Sequence, residues 1–253
     1  MKITFLGTGT SQGIPVIACQ CEVCKSENIF DNRLRASILI KIDGKTIVID
    51  TGPDFRQQML REDVRNLDAV LVTHEHKDHI AGLDDIRSFN YLQNKPMDIF
   101  AESRVLEALK REYAYVFAKE KYPGIPEVKL HEIENKEFNV NGIKILPIRV
   151  MHRKLPVFGF RIKNFTYISD ANYISEEEKQ KIKGSKIIVL NALRKEKHIS
   201  HFSLSEAVSL IKELNPEKAY LTHISHKMGL HNDIQKELPE NIMLSYDGLI
   251  LQI

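Results

Sequence analysis

The chain has 253 residues, 43% of them hydrophobic and 28% charged, with a formal net charge of +2. That length can bury a sizeable core, and these proportions are ordinary for a water-soluble globular protein. A balance so near zero gives no argument for electrostatic capture of long nucleic acid, and no apolar run approaches the length that crosses a bilayer. The opening Met1-Lys-Ile-Thr-Phe-Leu-Gly7 has one basic residue but no long apolar region or small-residue cleavage site, so it reads as a strand rather than a signal peptide. The expectation is a single domain over residues 1–253 in the cytoplasm.

The first strand, Ile3 to Leu6, runs into Gly7-Thr-Gly-Thr-Ser-Gln-Gly13, a flexible turn. No Gly-Lys-Ser/Thr follows it, and its glycine spacing is one residue too long for the dinucleotide fingerprint. All the cysteines lie in Ala18-Cys-Gln-Cys-Glu-Val-Cys24, where a disulfide would leave one over and a reducing compartment disfavours pairing. The C-x-C-x-x-C spacing instead suggests that Cys19, Cys21 and Cys24 are ligands of a tetrahedral zinc whose fourth ligand comes from elsewhere. Ala36 to Ile42 and Lys45 to Ile49 are strands of a hairpin around Asp43-Gly44. The hairpin delivers Asp50, which serves either a turn or a bond orienting a metal-bound histidine. Asp54, with Gln57 three residues on, is expected to cap a short helix.

A buried strand, Asp68 to Val72, leads into Val72-Thr-His-Glu-His-Lys-Asp-His79. His74, His76, Asp78 and His79 are metal-ligand types, and ligands held so densely need a cation. In an extended segment His74 and His76 point to one side and can chelate one ion, while Asp78 and His79, turning into a helix, face a second.

A helix is expected over Ile80 to Tyr91, a strand over Met97 to Ala101, and a helix over Ser103 to Phe117 with Leu106, Leu109, Tyr113, Val116 and Phe117 on its apolar stripe. A turn-rich connection, 119–126, precedes His131, which reads as a surface residue. A second hairpin, Phe138 to Val150 around Asn141-Gly142, runs on to His152. A third, Phe158 to Ile162 with Phe165 to Ile168, ends in Ser169-Asp170. After a helix near Ser175 to Ile182, a strand Ile187 to Leu190 and a helix Leu204 to Leu214, the strand Ala219 to Thr222 ends in His223. A last strand pair, Met243 to Tyr246 and Leu249 to Leu251, turns at Asp247-Gly248.

His152, Asp170 and His223 thus share a place at strand ends. The expected assignment gives one metal His74, His76 and His152, and the other Asp78, His79 and His223, with Asp170 bridging and water in the remaining bridging position. Thr222-His-Ile-Ser-His226 leaves His226 available, so Cys19, Cys21, Cys24 and His226 are expected to form a structural zinc site, with His231 a weaker competitor.

These motifs resemble the metallo-β-lactamase-fold hydrolases, over essentially the whole chain. The opening Phe5-Leu-Gly-Thr-Gly9, Asp50-Thr-Gly52, the His-x-His-x-Asp-His run and the later His152, Asp170 and His223 all match. The resemblance implies an α/β protein, a four-layer αββα sandwich of two mixed β-sheets flanked by helices. It implies two divalent metals, zinc or manganese, with Asp78 in the catalytic set. His79 and the early cysteines depart from the lactamases, and His at position 76 departs from the flavo-diiron proteins. The short interval between His152 and Asp170 leaves out the tRNA-binding arm of bacterial tRNA 3′-processing endonucleases.

C-x-C-x-x-C near the start, Thr-His-Ile-Ser-His near the end and a His before a late helix make the chain more similar to phosphoribosyl cyclic phosphodiesterase of phosphonate breakdown. The implied activity is hydrolysis of a small cyclic or nucleotide-like phosphodiester by a metal-bridging hydroxide. His201 is the candidate proton donor to the leaving alkoxide, because Ser203-Leu-Ser-Glu206 starts a helix whose terminus favours an anion beside it. An RNA-processing nuclease and a thioesterase or lactonase of the same fold are the alternatives. A small phosphodiester is the expected partner rather than a membrane or a long nucleic acid, and a homodimer is compatible with the sequence.

Overall fold

The computed structural model describes residues 1–120 and 122–253; the connection 119–126 therefore includes one residue, Lys121, outside the described set. The described residues form an α/β protein with two mixed β-sheets and helices. They fall into two compact units, Met1–Leu6 with Ser37–Glu134 and Ile250–Ile253, and Gly7–Ala36 with Asn135–Leu249.

In the first unit the spatial order is Ile250–Gln252, Lys2–Gly7, Ser37–Ile42, Lys45–Ile49, Ala69–Leu71, Met97–Ala101, Val128–Glu132. The hairpin at Asp43-Gly44 forms as the sequence predicts, with both turn residues at positive φ, 48° and 74°, as a type I′ turn demands. The following strands pair in parallel, Ile49 beside Leu71 and Leu71 beside Phe100. Ile47, Val48, Ile49, Val70 and Leu71 are fully buried, which explains why these strands read as continuous apolar runs rather than alternating ones. Phe55, Met59, Ile86, Phe89, Val105 and Leu109 from the helical segments pack with Leu39, Val48, Val70 and Ile99 in one apolar cluster.

The second sheet runs Tyr173–Ile174, Ile143–His152, Leu155–Ile162, Phe165–Ile168, Ile187–Asn191, Lys218–Thr222, Ile242–Leu244, with Phe138–Val140 also on Ile143–His152. Its later strands are parallel and in step, so Ile168, Leu190 and Leu221 lie side by side. On one face Ile148, Val150, Ile168, Leu190 and Leu221 cluster with Ile182, Ala207, Ile211 and Leu214 of the helices Glu176–Ile182 and Leu204–Leu214.

Several local expectations are corrected. The helix expected over Ile80 to Tyr91 starts earlier and is broken into Lys77–Ile80, a tight 3-10 turn Leu83–Ile86 and Arg87–Gln93. Gly82 separates the first two, its N–H bonded to Thr51 O at 2.8 Å. The helix from Ser103 ends at Glu112, followed by a 3-10 turn Ala114–Val116. Asp54 sits at the start of Phe55–Arg61 but makes no side-chain cap bond. The last two strands are not a hairpin: Ile242–Leu244 joins the second sheet in parallel with Lys218–Thr222, while Ile250–Gln252 pairs with the N-terminal strand of the first. Asp247 explains the interruption, since its carboxylate accepts from Thr8 Oγ1 and Leu34 N instead of closing a two-strand turn.

Candidate metal centre

In the first unit the ligand-bearing loop leaves the carboxyl end of Ala69–Leu71, beside the carboxyl end of Lys45–Ile49. Functional groups gather at such ends because the strands stop there while the loops diverge. Asp50, fully buried and at φ 66°, organises them. Its Oδ1 accepts from Thr73 N at 2.8 Å, and its Oδ2 accepts from Thr73 Oγ1 at 2.8 Å and from His79 Nδ1 at 2.7 Å. Burial pushes the Asp50 carboxyl up, while His79 and the Thr73 donors hold it down against that.

These bonds settle the tautomers. His79 spends Nδ1–H on Asp50, which turns Nε2 outward. Because the Thr73 hydroxyl donates to Asp50, it can only accept from His74 Nδ1–H, 2.9 Å away, so His74 Nε2 also faces outward. His74 Nε2 then stands 3.0 Å from His76 Nδ1, and His79 Nε2 stands 3.2 Å from Asp78 Oδ2. Asp50 therefore takes the orienting alternative, and Thr73, which the sequence reading did not single out, works with it. Donors about 2.0–2.2 Å from a shared cation at tetrahedral angles would be separated by roughly 3.3 Å, so this set fits divalent metal.

The second unit gathers the remaining candidates at the ends of its own strands. Asp170 follows Phe165–Ile168, His223 follows Lys218–Thr222 at φ 55°, and His152 ends its strand in register with Leu155 across an Arg153-Lys154 turn. His152 Nδ1–H donates to Ser200 O at 2.8 Å, which leaves Nε2 as its ligand atom. Asp170 Oδ1 lies 2.9 Å from His201 Nε2 and 3.2 Å from His223 Nε2, and His152, Asp170 and His201 form a buried group with ligand atoms within 4.8 Å of one another. The capping box at His201's helix is present, with Glu206 accepting from Ser203 N at 2.9 Å. His198 beside it is half-exposed, with its Nδ1 3.2 Å from His201 Nδ1.

The cysteine loop belongs to the same unit. Cys19, Cys21 and Cys24 Sγ lie 3.3, 3.4 and 3.6 Å from His226 Nδ1. Sulfur and nitrogen about 2.3 and 2.05 Å from one zinc at a tetrahedral angle are separated by roughly 3.5 Å, so the four residues fit a closed Cys₃His site. The thiols are polarised in opposite senses: the backbone of Cys24 and the His226 ring draw Cys21 down to about 6, against burial, while burial pushes Cys24 up to about 11. His231 does not take that place: its Nδ1 accepts from Arg33 Nη2 at 3.0 Å and its backbone N–H donates to Asp31 Oδ1 at 2.7 Å, while it is His226 that stands beside the thiols. His131, expected on the surface, is half-buried and holds Asp98 at 2.6 Å.

A family model described as a beta-lactamase superfamily domain matches residues 45–224. A solved structure described as a new diphosphatase from the PhnP family is 35% identical, covers 100% of this chain and 97% of its own, and superposes with a TM-score of 0.93. An octanoyltransferase of Porphyromonas gingivalis is 40% identical over 98% of this chain and 51% of its own length, and a ribonuclease Z of Methanococcus maripaludis is 28% identical over 64% of this chain and 49% of its own. The chain thus spans about half the length of these two named relatives. Carrying the domain's strands, clusters of histidine and aspartate that could hold metal and a near full-length likeness to a PhnP-family structure, the chain belongs to the beta-lactamase superfamily, with the metallo-β-lactamase fold and close to the PhnP family.

Proposed function

We propose that the chain is a phosphodiesterase acting on a small cyclic or nucleotide-like phosphodiester, of the phosphoribosyl cyclic phosphate type. His74, His76, Asp78, His79, His152, Asp170 and His223 would hold two divalent cations, zinc or manganese. Such a pair supplies Lewis-acid charge that acidifies a water nucleophile and neutralises the phosphodiester oxygens. The observation that carries the reading is the orientation of the donors: His74, His79 and His152 each commit Nδ1 to the protein and present Nε2. Asp170 supplies anionic charge, and Asp78 a second carboxylate. His201, with Nε2 beside Asp170, holds the proton that the leaving alkoxide takes up. The near full-length likeness to a diphosphatase supports phosphate chemistry over thioester or lactone cleavage.

A ribonuclease reading has one observation in its favour, the partial match to the Methanococcus ribonuclease Z. Turnover of bis-p-nitrophenyl phosphate, of acyl thioesters and lactones, and of a tRNA precursor by the metal-loaded protein separates the readings. The expected outcome is phosphodiester turnover alone, abolished by Asp170→Ala together with loss of much of the bound metal. Near-wild-type turnover in that variant, or preference for the precursor RNA, would sink the proposal.

A further inference from the structure

Residues 193–202 make a closed excursion of the second unit. Leu193 N donates to Phe202 O at 3.0 Å across its neck, Leu204 N to Arg194 O at 2.8 Å, and Arg194 Nη2 to Lys197 O at 3.0 Å. Ile199 points into solvent while its neighbour His198 turns inward. The ring of His198 meets three groups with the same atom: Nδ1 lies 3.4 Å from Ser200 N, 3.2 Å from Ser200 Oγ and 3.2 Å from His201 Nδ1.

A backbone N–H can only donate, so His198 Nδ1 is an acceptor and its proton sits on Nε2. Two Nδ1 atoms at 3.2 Å then place the proton between them on His201, and because Nε2 faces a carboxylate oxygen of Asp170 and must carry the proton the leaving group takes, both ring nitrogens of His201 bear hydrogen in the donating form. The Ser200 hydroxyl, 3.1 Å from His201 Nδ1, is a second acceptor for it. With Nδ1–H held in this way, the His201 ring is aimed with Nε2 at Asp170 Oδ1. The carbonyl of the same Ser200 takes Nδ1–H of His152, so one residue orients a candidate metal ligand through its backbone and the candidate proton donor through its side chain. Burial, His201 and Arg194 all push the His198 pKa down, which keeps the acceptor neutral.

We propose that His198 is a positioning residue for His201, fixing with Ser200 the nitrogen that carries the buried proton and the direction of the nitrogen that serves the leaving group. The inference rests on the reading of His201 as proton donor, and the test separates the two. The zinc-loaded full chain is compared with His198→Ala, His198→Asn and His201→Ala by long-range ¹H–¹⁵N imidazole correlation, metal content and turnover of phosphodiesters with alkyl and p-nitrophenolate leaving groups.

In the wild type His201 should show a protonated Nδ1 that His198→Ala loses. The same variant should lower kcat on the alkyl substrate on the order of ten-fold, with KM, metal content and p-nitrophenolate release little changed. His198→Asn, whose carbonyl oxygen is an acceptor, should restore both. Unchanged His201 signals in His198→Ala beside a leaving-group-selective loss in His201→Ala would overturn the positioning role alone. Equal losses on both substrates with loss of metal would overturn it in favour of a structural role. A His201→Ala variant without leaving-group selectivity would overturn the proton-donor reading and this role with it, whatever the imidazole signals show.

Discussion

A single buried carboxylate sets the chemistry of the first ligand cluster. Asp50 touches no candidate ligand other than His79 directly, yet through Thr73 it also fixes His74. Asp50→Asn keeps the volume but replaces one acceptor oxygen with a donor, so either the bond from Thr73 N–H or both bonds at Oδ2, from the Thr73 hydroxyl and His79, must break. Metal affinity is expected to fall about 10–100-fold, as loss of such supporting bonds does, read by competition with a chromophoric chelator. Unaltered affinity would show that Asp50 serves only the turn. His231 gives a prediction of a different kind. Burial and the Arg33 guanidinium push it down to about 4 from an unfolded value near 6.5. A histidine depressed in the folded state contributes stability above its unfolded pKa, lost as pH falls from about 6.5 towards 4. His231→Asn, which offers Arg33 an oxygen in place of Nδ1, should flatten that slope in denaturant melts taken across this window, and an identical slope would contradict the assignment.

At the scale of elements, the turn between Lys77–Ile80 and Leu83–Ile86 determines whether the His79 backbone can approach Asp50-Thr51-Gly52. His79 O accepts from Thr51 N and Thr51 O accepts from Gly82 N, both at 2.8 Å. A Cβ on Gly82 would stand 2.1 Å from Gly52 O and 2.8 Å from Phe55 Cβ, and a backbone oxygen cannot swing away. Gly82→Ala is therefore expected to cost about 3 kcal/mol or more and to weaken metal binding with it. A variant with wild-type stability in urea would mean that the loop re-routes freely. The second ligand-bearing element, the loop over Cys19 to Cys24, lacks regular structure beyond the 3-10 turn Val23–Lys25. Its order is expected to come from metal, so Cys21→Ser should lose one zinc and lower Tm while the remaining metal still binds. A Tm equal to wild type would argue against a stabilising site.

For the whole molecule these assignments predict about three metal ions per fully loaded chain, one in the Cys₃His site and two in the candidate active site. The thiolate-bound ion should resist mild chelation that strips the other two, since soft sulfur donors close its coordination shell. Elemental analysis before and after dialysis against a weak chelator reads both numbers. Two metals at saturation, with all three thiols titrating freely in the folded protein, would remove the structural site.

The sequence by itself determined the local chemistry and the strand grammar. Asp43-Gly44 and Asn141-Gly142 specified their hairpins because only such residues sit easily at positive φ. The spacing of His74, His76, Asp78 and His79 marked a candidate metal-ligand set because four such donor types within six residues suit a cation. The tertiary structure alone decided what lies far apart in the chain. It made Asp50 an orienting group 29 positions from His79 and set His226 rather than His231 beside thiols 202 to 207 positions away. It also sent Ile242–Leu244 and Ile250–Gln252 to different sheets. The physical reason is the same each time. Periodicity and turn propensity act over a few residues, whereas tautomers, ligand completion and strand partners depend on which backbone ends each sheet brings side by side within its own unit.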